Sequence, residues 1–141
     1  DLAEQHPGAI DAMVFETGGM KGRRKEIVRD ELHTTLEQAF AVRPVYSEYG
    51  MTELLSQAYT RGGPLFHCPP WLRVVGRDLT DPLTRGLLNE TAGINIIDLA
   101  NLHSVAFLET QDLGKVFADG TFEVLGRADN SDVRGCNLLV N

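Results

Sequence analysis

The chain has 141 residues, 43% hydrophobic and 23% charged, a composition typical of one soluble globular domain. Its formal net charge of −7 argues against a nucleic-acid-binding surface, which would need clustered lysine and arginine. We see no run of about 18 apolar residues, no secretory leader and only two cysteines, so we expect a reduced, cytoplasmic protein without a membrane span.

The first part of the chain alternates between strand-like and helix-like patterns. Residues 12–15 form an apolar run followed by glycines, which is typical of a short buried parallel strand. Apolar residues recur at helical spacing through residues 21–42, which predicts an amphipathic helix ended by Pro44. Residues 44–50 predict a second strand, and residues 52–60 a second, shorter helix. This order is the signature of a βαβ unit.

From Gly63 onward, short strand-like segments are separated by Gly, Pro, Asp and Asn. They lie in residues 66–79, 92–99, 105–117 and 121–128. Asp119-Gly120, between the last two, is a two-residue hairpin signal. We therefore predict an α/β fold in which a βαβ unit in residues 1–62 precedes a β-rich half in residues 63–141, both within one structural unit.

The segment "YGMTE", residues 49–53, lies between the second predicted strand and the second predicted helix. The first amides of a helix have no intrahelical partners, so such junctions often bind phosphate. In one interpretation Thr52 caps the helix and Glu53 favours its dipole. In the other, Thr52 contacts a phosphate, Glu53 binds magnesium and Tyr49 offers its ring to a base. The local sequence leaves both open.

Two later segments have a similar ambiguity. Asp112 follows a predicted strand and precedes a glycine turn, where a carboxylate accepts ribose hydroxyls or, alternatively, bonds its own turn backbone. Gly126 and Arg127 close a predicted strand, and the acidic run in residues 129–132 is either a hinge or a solvated loop.

The order of these motifs resembles the C-terminal motif series of the adenylate-forming superfamily, whose members activate a carboxylate with ATP. The most specific piece is "YGMTE". The segments "ETGGMKGRR", "LETQDLG" and "LGRADNSDVRGCNLLV" are most similar to the LuxE-type acyl-protein synthetases, with the phenylacetate–CoA ligase type as a near neighbour. The resemblance covers nearly the whole chain from Gly8.

The resemblance implies a site for ATP or AMP and for Mg²⁺. Gly18 and Gly19 would line the adenine pocket, where a side chain would obstruct the ring. Tyr49 would stack on adenine, Thr52 would contact the α-phosphate, and Glu53 would bind the magnesium. Donors and a metal ligand converging there would neutralise charge that develops during adenylation.

The same resemblance implies further contacts and an acyl acceptor. Asp112 would hold the ribose hydroxyls with Arg127 beside it, and Gly50 and Met51 would belong to the nucleotide-binding segment. Cys136 corresponds to the cysteine that takes the acyl group in LuxE-type synthetases and passes it to a partner protein. Alternatively, Cys136 is a small buried residue and the acceptor is coenzyme A, as in an acyl-CoA ligase.

Three departures from the superfamily pattern shape the expectation. The usual Arg-Thr-Gly-Asp is Glu109-Thr110-Gln111-Asp112 here, and we find neither a "SGTTG"-like phosphate loop nor a lid with a catalytic lysine. We therefore expect the C-terminal part of a larger adenylating enzyme, with poor catalysis in isolation and exposed apolar surface that favours a homodimer. A non-catalytic module that binds a nucleotide or a partner is the alternative.

The last candidates are His67, with its neighbours in sequence, and His33. His67 and Cys68 are adjacent, so in a strand they would point to opposite faces and would not form a catalytic pair. Phe66, Pro69 and Trp71 either line an acyl pocket or pack in the core. His33 is predicted on the solvent face of the first helix.

Overall fold

The computed structural model describes residues 5, 7–18, 29–81 and 83–128. Within them, nine strands form one sheet in the order β1-β2-β3-β4-β9-β8-β7-β5-β6. The elements are β1 Phe15–Thr17, α1 Arg29–Phe40, β2 Tyr46–Tyr49, β3 Ala58–Thr60, β4 Phe66–His67, β5 Leu72–Arg77, β6 Arg85–Leu87, β7 Ala92–Asp98, β8 Phe107–Val116 and β9 Phe122–Arg127. Across these ranges, no helix combines the length and apolar character needed to cross a membrane.

The predicted strand–helix–strand unit is present, but two details of its first strand are wrong. The strand is Phe15–Thr17 rather than residues 12–15, and it is exposed rather than buried, with Phe15 46% and Met13 73% exposed. β1 and β2 pair in parallel, with Phe15 opposite Tyr46, and α1 connects them. Acidic residues in the first turn of α1 favour its dipole. The helix ends at Phe40 because Ala41 adopts a left-handed conformation, φ 51°, before the chain reaches Pro44.

The predicted solvent exposure of His33 is wrong. Its imidazole Nε2 lies 3.1 Å from the hydroxyl of buried Ser47 on β2 and 3.7 Å from a carboxylate oxygen of Glu16 on β1. The helix therefore packs this polar residue toward the sheet. Hydrogen bonding makes a histidine acceptable on the inner face of a helix.

The second predicted helix, residues 52–60, is also wrong. The chain makes a single turn, in which the Leu54 amide donates to the Met51 carbonyl at 3.1 Å, and then enters β3. The next two amides, of Leu55 and Ser56, donate to the Asp98 carboxylate at 2.9 and 3.0 Å. A tertiary partner thus takes the donors that a helix would have used.

The β-rich half matches the prediction. β5, β7, β8 and β9 are antiparallel neighbours, and the core includes Phe66 stacked on Phe122 at 5.2 Å between ring centroids. The β8–β9 hairpin has a longer connection than two residues: the Phe117 amide donates to the Thr121 carbonyl, and Gly120 takes a φ of 84°. The division at residue 62 stays a prediction.

Candidate active site

Tyr49 and Asp112 meet although 63 positions separate them in sequence. The Tyr49 hydroxyl donates to Oδ2 of Asp112 at 2.7 Å. Tyr49 is the last residue of β2, and Asp112 lies on β8. The pair therefore joins the "YGMTE" segment to the segment predicted to bind ribose.

The Tyr49 ring is part of the core. Its centroid lies 5.8 Å from that of Phe66 and 5.2 Å from that of Phe122, the latter in an edge-to-face arrangement. Burial raises the pKa of Tyr49 well above its usual value, and the charge and hydrogen bond of Asp112 raise it further. Tyr49 is thus a neutral hydrogen-bond donor. Its stacking on adenine stays a prediction.

Asp112 lies inside β8, and the prediction that it follows a strand is wrong. The glycine turn expected after it is a bulge in the β8–β9 pairing at Leu113 and Gly114. Asp112 pairs across the strands with Arg127, which also donates to Gln111. The bulge directly follows Asp112, whose carboxylate is oriented by the hydrogen bond from the Tyr49 hydroxyl.

The turn after β2 presents Thr52 and Glu53 to solvent. Both are exposed, whereas Leu54 beyond them is only 5% exposed and anchors the turn in the core. The Glu53 carbonyl accepts a hydrogen bond from Nδ2 of Asn101 at 2.8 Å. Consequently the backbone of the turn is held, while the Thr52 hydroxyl and the Glu53 carboxylate face outward.

Asp98 holds the chain that follows Thr52 and Glu53, and it was not among the residues predicted from the sequence. It is fully buried at the end of β7 and accepts four hydrogen bonds, from Leu55, Ser56 (twice) and Ala100. Burial alone would raise the pKa of Asp98, but these donors outweigh it and hold the pKa below its usual value. An acidic residue ending a long apolar strand, in "INIID", was the available signal.

The remaining candidates fall in three groups. Gly18 has a left-handed backbone, φ 71°, that favours glycine. Met51 packs against the core, and Gly50 is exposed beside it. Gly19 and Cys136 lie outside the described residues.

The residues present fit a nucleotide and magnesium in specific ways. Asp112 is half-buried, and the residue paired with it across the strands is Arg127, an arrangement compatible with an acceptor for a ribose diol. No group of three His, Cys, Asp or Glu side chains suited to a metal occurs in the described part of the chain. However, Mg²⁺ commonly uses one or two carboxylates together with substrate phosphates, so the single Glu53 is compatible with that mode.

A cleft of about 420 Å³ lies beside the β2–β3 connection. Its walls include Ser56, Pro69 and Trp71, whereas Phe66 is buried in the core. Cys68 also lines the cleft, and burial raises the pKa of its thiol to about 11. Cys68 is therefore protonated near neutral pH and poorly suited to be a nucleophile.

Solved structures of known enzymes share this fold. MatB from Rhodopseudomonas palustris with bound ATP matches with a TM-score of 0.56 and 17% identity, over 82% of this chain and 25% of that one. A benzoate CoA ligase from Burkholderia xenovorans LB400 matches with 0.54 and 14%, over 85% and 27%. The O-succinylbenzoate coenzyme A synthetase MenE from Bacillus subtilis, in complex with AMP, matches with 0.58 and 21%, over 89% and 28%.

These similarities establish the fold: a mixed α/β unit with a large sheet, as found in CoA ligases and synthetases. The chain spans about a quarter of the length of each of these enzymes. No protein-family model and no curated protein sequence matches it.

Proposed function

We propose that this chain is part of an AMP-forming acid–thiol ligase. Such a ligase converts a carboxylic acid and ATP to an acyl-adenylate and pyrophosphate, and then transfers the acyl group to a thiol with release of AMP. The observation that carries the proposal is the hydrogen bond between Tyr49 and Asp112. It brings together two motifs whose roles in the adenylate-forming superfamily are both directed at one nucleotide. The shared fold with ATP- and AMP-bound enzymes supports it.

Each residue would have a distinct task. Asp112 would accept hydrogen bonds from the ribose hydroxyls, and Arg127 would stabilise the adjoining negative charge. Thr52 would donate its hydroxyl to the α-phosphate, and Glu53 would coordinate Mg²⁺. Bound ATP supplies the adenylyl group, and Mg²⁺ neutralises phosphate charge.

The ribose assignment has a direct test. Isothermal titration of the chain should show that Asp112→Asn weakens AMP binding at least tenfold but leaves 2′,3′-dideoxy-AMP binding unchanged, because only AMP carries the ribose hydroxyls. Asp30→Asn, which makes the same chemical change at an exposed position on α1, should change neither affinity. Equal affinity of the wild-type chain for AMP and dideoxy-AMP would contradict the assignment.

The thiol acceptor separates two forms of the proposal. In the acyl-protein synthetase form, the fatty acyl group of the adenylate is transferred to the Cys136 thiol with release of AMP, and then to a partner protein. In the coenzyme A form, favoured by the CoA ligases among the structures with this fold, free coenzyme A accepts the acyl group.

Labelled acid and ATP distinguish these forms in any preparation that catalyses ATP–pyrophosphate exchange. Label on the protein that Cys136→Ser abolishes supports the synthetase. Label that appears only on coenzyme A, unaffected by Cys136→Ser, supports the ligase. Absence of exchange with a panel of fatty and aryl acids, when the protein is folded, would favour a binding module.

A further inference from the structure

The buried carboxylate of Asp98 accepts hydrogen bonds from the residues that directly follow Thr52 and Glu53. Oδ2 of Asp98 accepts the amides of Leu55 at 2.9 Å and Ser56 at 3.0 Å, and Oδ1 accepts the Ser56 hydroxyl at 2.7 Å. The Ala100 amide adds a fourth bond at 3.1 Å. Three of the four donors therefore belong to the β2–β3 connection, 42 or 43 positions upstream of Asp98.

Two neighbours extend this network. Trp71 donates its indole N–H to the Ser56 hydroxyl at 3.0 Å, so that hydroxyl both donates and accepts. Asn101, in the short 3-10 helix Leu99–Asn101 after β7, holds the Glu53 carbonyl at 2.8 Å. The turn is thus attached to the end of β7 on both sides of Leu54.

Hydrogen bonds, and not a counter-ion, stabilise the buried charge of Asp98. In the described ranges, no cationic side chain forms an ion pair with it. A buried carboxylate without a counter-ion is costly unless hydrogen bonds satisfy it. The stabilising donors come mainly from the turn, so the carboxylate holds the turn in one conformation, and any displacement would leave a buried charge unsatisfied.

We propose that Asp98 and Asn101 are positioning residues, which fix the backbone of residues 52–56 so that Thr52 and Glu53 project toward the phosphate and magnesium. This role rests on the proposed function. In this role both residues act through the backbone of the turn and not by contact with the nucleotide. Because Asp112 lies on a different strand, the role predicts that phosphate and magnesium recognition depends on this network and that ribose recognition does not.

Asn101→Ala is the sharpest test, since it removes one tether without exposing a buried charge. Magnesium should increase the affinity of the wild-type chain for ATP. In Asn101→Ala we expect this magnesium-dependent gain to fall about tenfold, while adenosine affinity stays within twofold. Amide hydrogen exchange at Leu55 and Ser56 should accelerate at least tenfold. Asp98→Asn should show the same pattern more strongly.

Thr121→Val is the matched control. It removes the 2.7 Å hydrogen bond from the Thr121 hydroxyl to Asp119, which is similar in length to the bond from Asn101 to Glu53. This bond lies in the connection after the last residue of β8, Val116. We expect it to change neither the magnesium-dependent gain nor exchange at Leu55.

The outcomes separate the two proposals. If Asn101→Ala lowers adenosine and magnesium–ATP affinity by the same factor, or leaves the magnesium-dependent gain and the exchange unchanged, the positioning role is overturned while the proposed function stands. If the folded wild-type chain binds no adenine nucleotide, the proposed function falls and this role falls with it.

Discussion

The Tyr49 hydroxyl and the Asp112 carboxylate form a 2.7 Å hydrogen bond between the end of β2 and the middle of β8. The tyrosine ring packs in the core against both Phe66 and Phe122, so its hydroxyl has a fixed position. A fixed donor orients one oxygen of the carboxylate. The same contact therefore stabilises the sheet and sets the geometry of the predicted ribose acceptor.

Tyr49→Phe should lower the free energy of unfolding by roughly 1.5–3 kcal/mol, the range for a hydrogen bond to a charged group. Urea denaturation measures this. Tyr59→Phe removes a similar bond, 2.8 Å to Glu48, at an exposed position, and should cost less than about 0.5 kcal/mol. Equal losses in the two variants would show that burial of Tyr49 adds nothing.

The same bond predicts how stability changes at alkaline pH. Burial first, and then Asp112, raise the pKa of Tyr49 above that of an unfolded tyrosine, which is about 10. The neutral phenol therefore contributes fully below about pH 10, and the contribution declines as the pH rises further and the unfolded state ionises. Above about pH 10, wild-type stability should fall more steeply with pH than that of Tyr49→Phe. Parallel curves would contradict this.

Asp98 predicts the behaviour at acid pH. Burial would raise its pKa, but the hydrogen bonds that it accepts outweigh burial and lower the pKa in the folded protein. Its stabilising contribution is therefore present above the unfolded pKa of about 3.9 and is lost as the pH falls through the folded pKa. Asp98→Asn should be less stable than wild type near pH 7, and the difference should shrink toward about pH 2. Thermal unfolding at several pH values measures it.

The local sequence predicted the elements that are defined by patterns within their own segments. The β1-α1-β2 unit and the β8–β9 hairpin follow from periodicity and turn residues. The prediction of a second helix is wrong because the amides of Leu55 and Ser56 donate hydrogen bonds to Asp98, which is 43 and 42 positions away. The predicted solvent exposure of His33 is wrong for a related reason, since its hydrogen-bond partner Ser47 lies on another element. Tertiary hydrogen bonds override local propensity where they satisfy buried groups.

The sequence indicated the segments of the candidate site but not the hydrogen bonds that hold them in place. Nothing local shows that Tyr49 reaches Asp112 or that Asn101 holds the Glu53 carbonyl. Such contacts arise from strand order, here β9 and β8 following β4 in the sheet. The strand order is known only from the three-dimensional structure.

Gly114 should be the least replaceable described glycine near the site. A Cβ there would lie 2.3 Å from the Glu123 carbonyl oxygen and 2.6 Å from Cδ1 of Ile94, so Gly114→Ala should cost roughly 2–4 kcal/mol and disturb Asp112. Gly63→Ala is the control, because nothing lies within 4 Å of its added Cβ. It should change stability by less than about 0.5 kcal/mol. Urea denaturation compares them, and equal effects would contradict the close packing at the bulge.

The thiol of Cys68 should react slowly. With a pKa of about 11, less than about 0.1% is thiolate at pH 7.5, against about 10% for free cysteine, and the thiolate is the reactive form. Cys136→Ser leaves Cys68 as the only thiol, because the chain has two cysteines. Its reaction with a disulfide reagent at about pH 7.5 should be at least about 100-fold slower than that of free cysteine and should rise with pH up to about 11. A rate near that of free cysteine would show that the thiol is not buried in solution, and would make Cys68 as good a candidate acyl acceptor as Cys136.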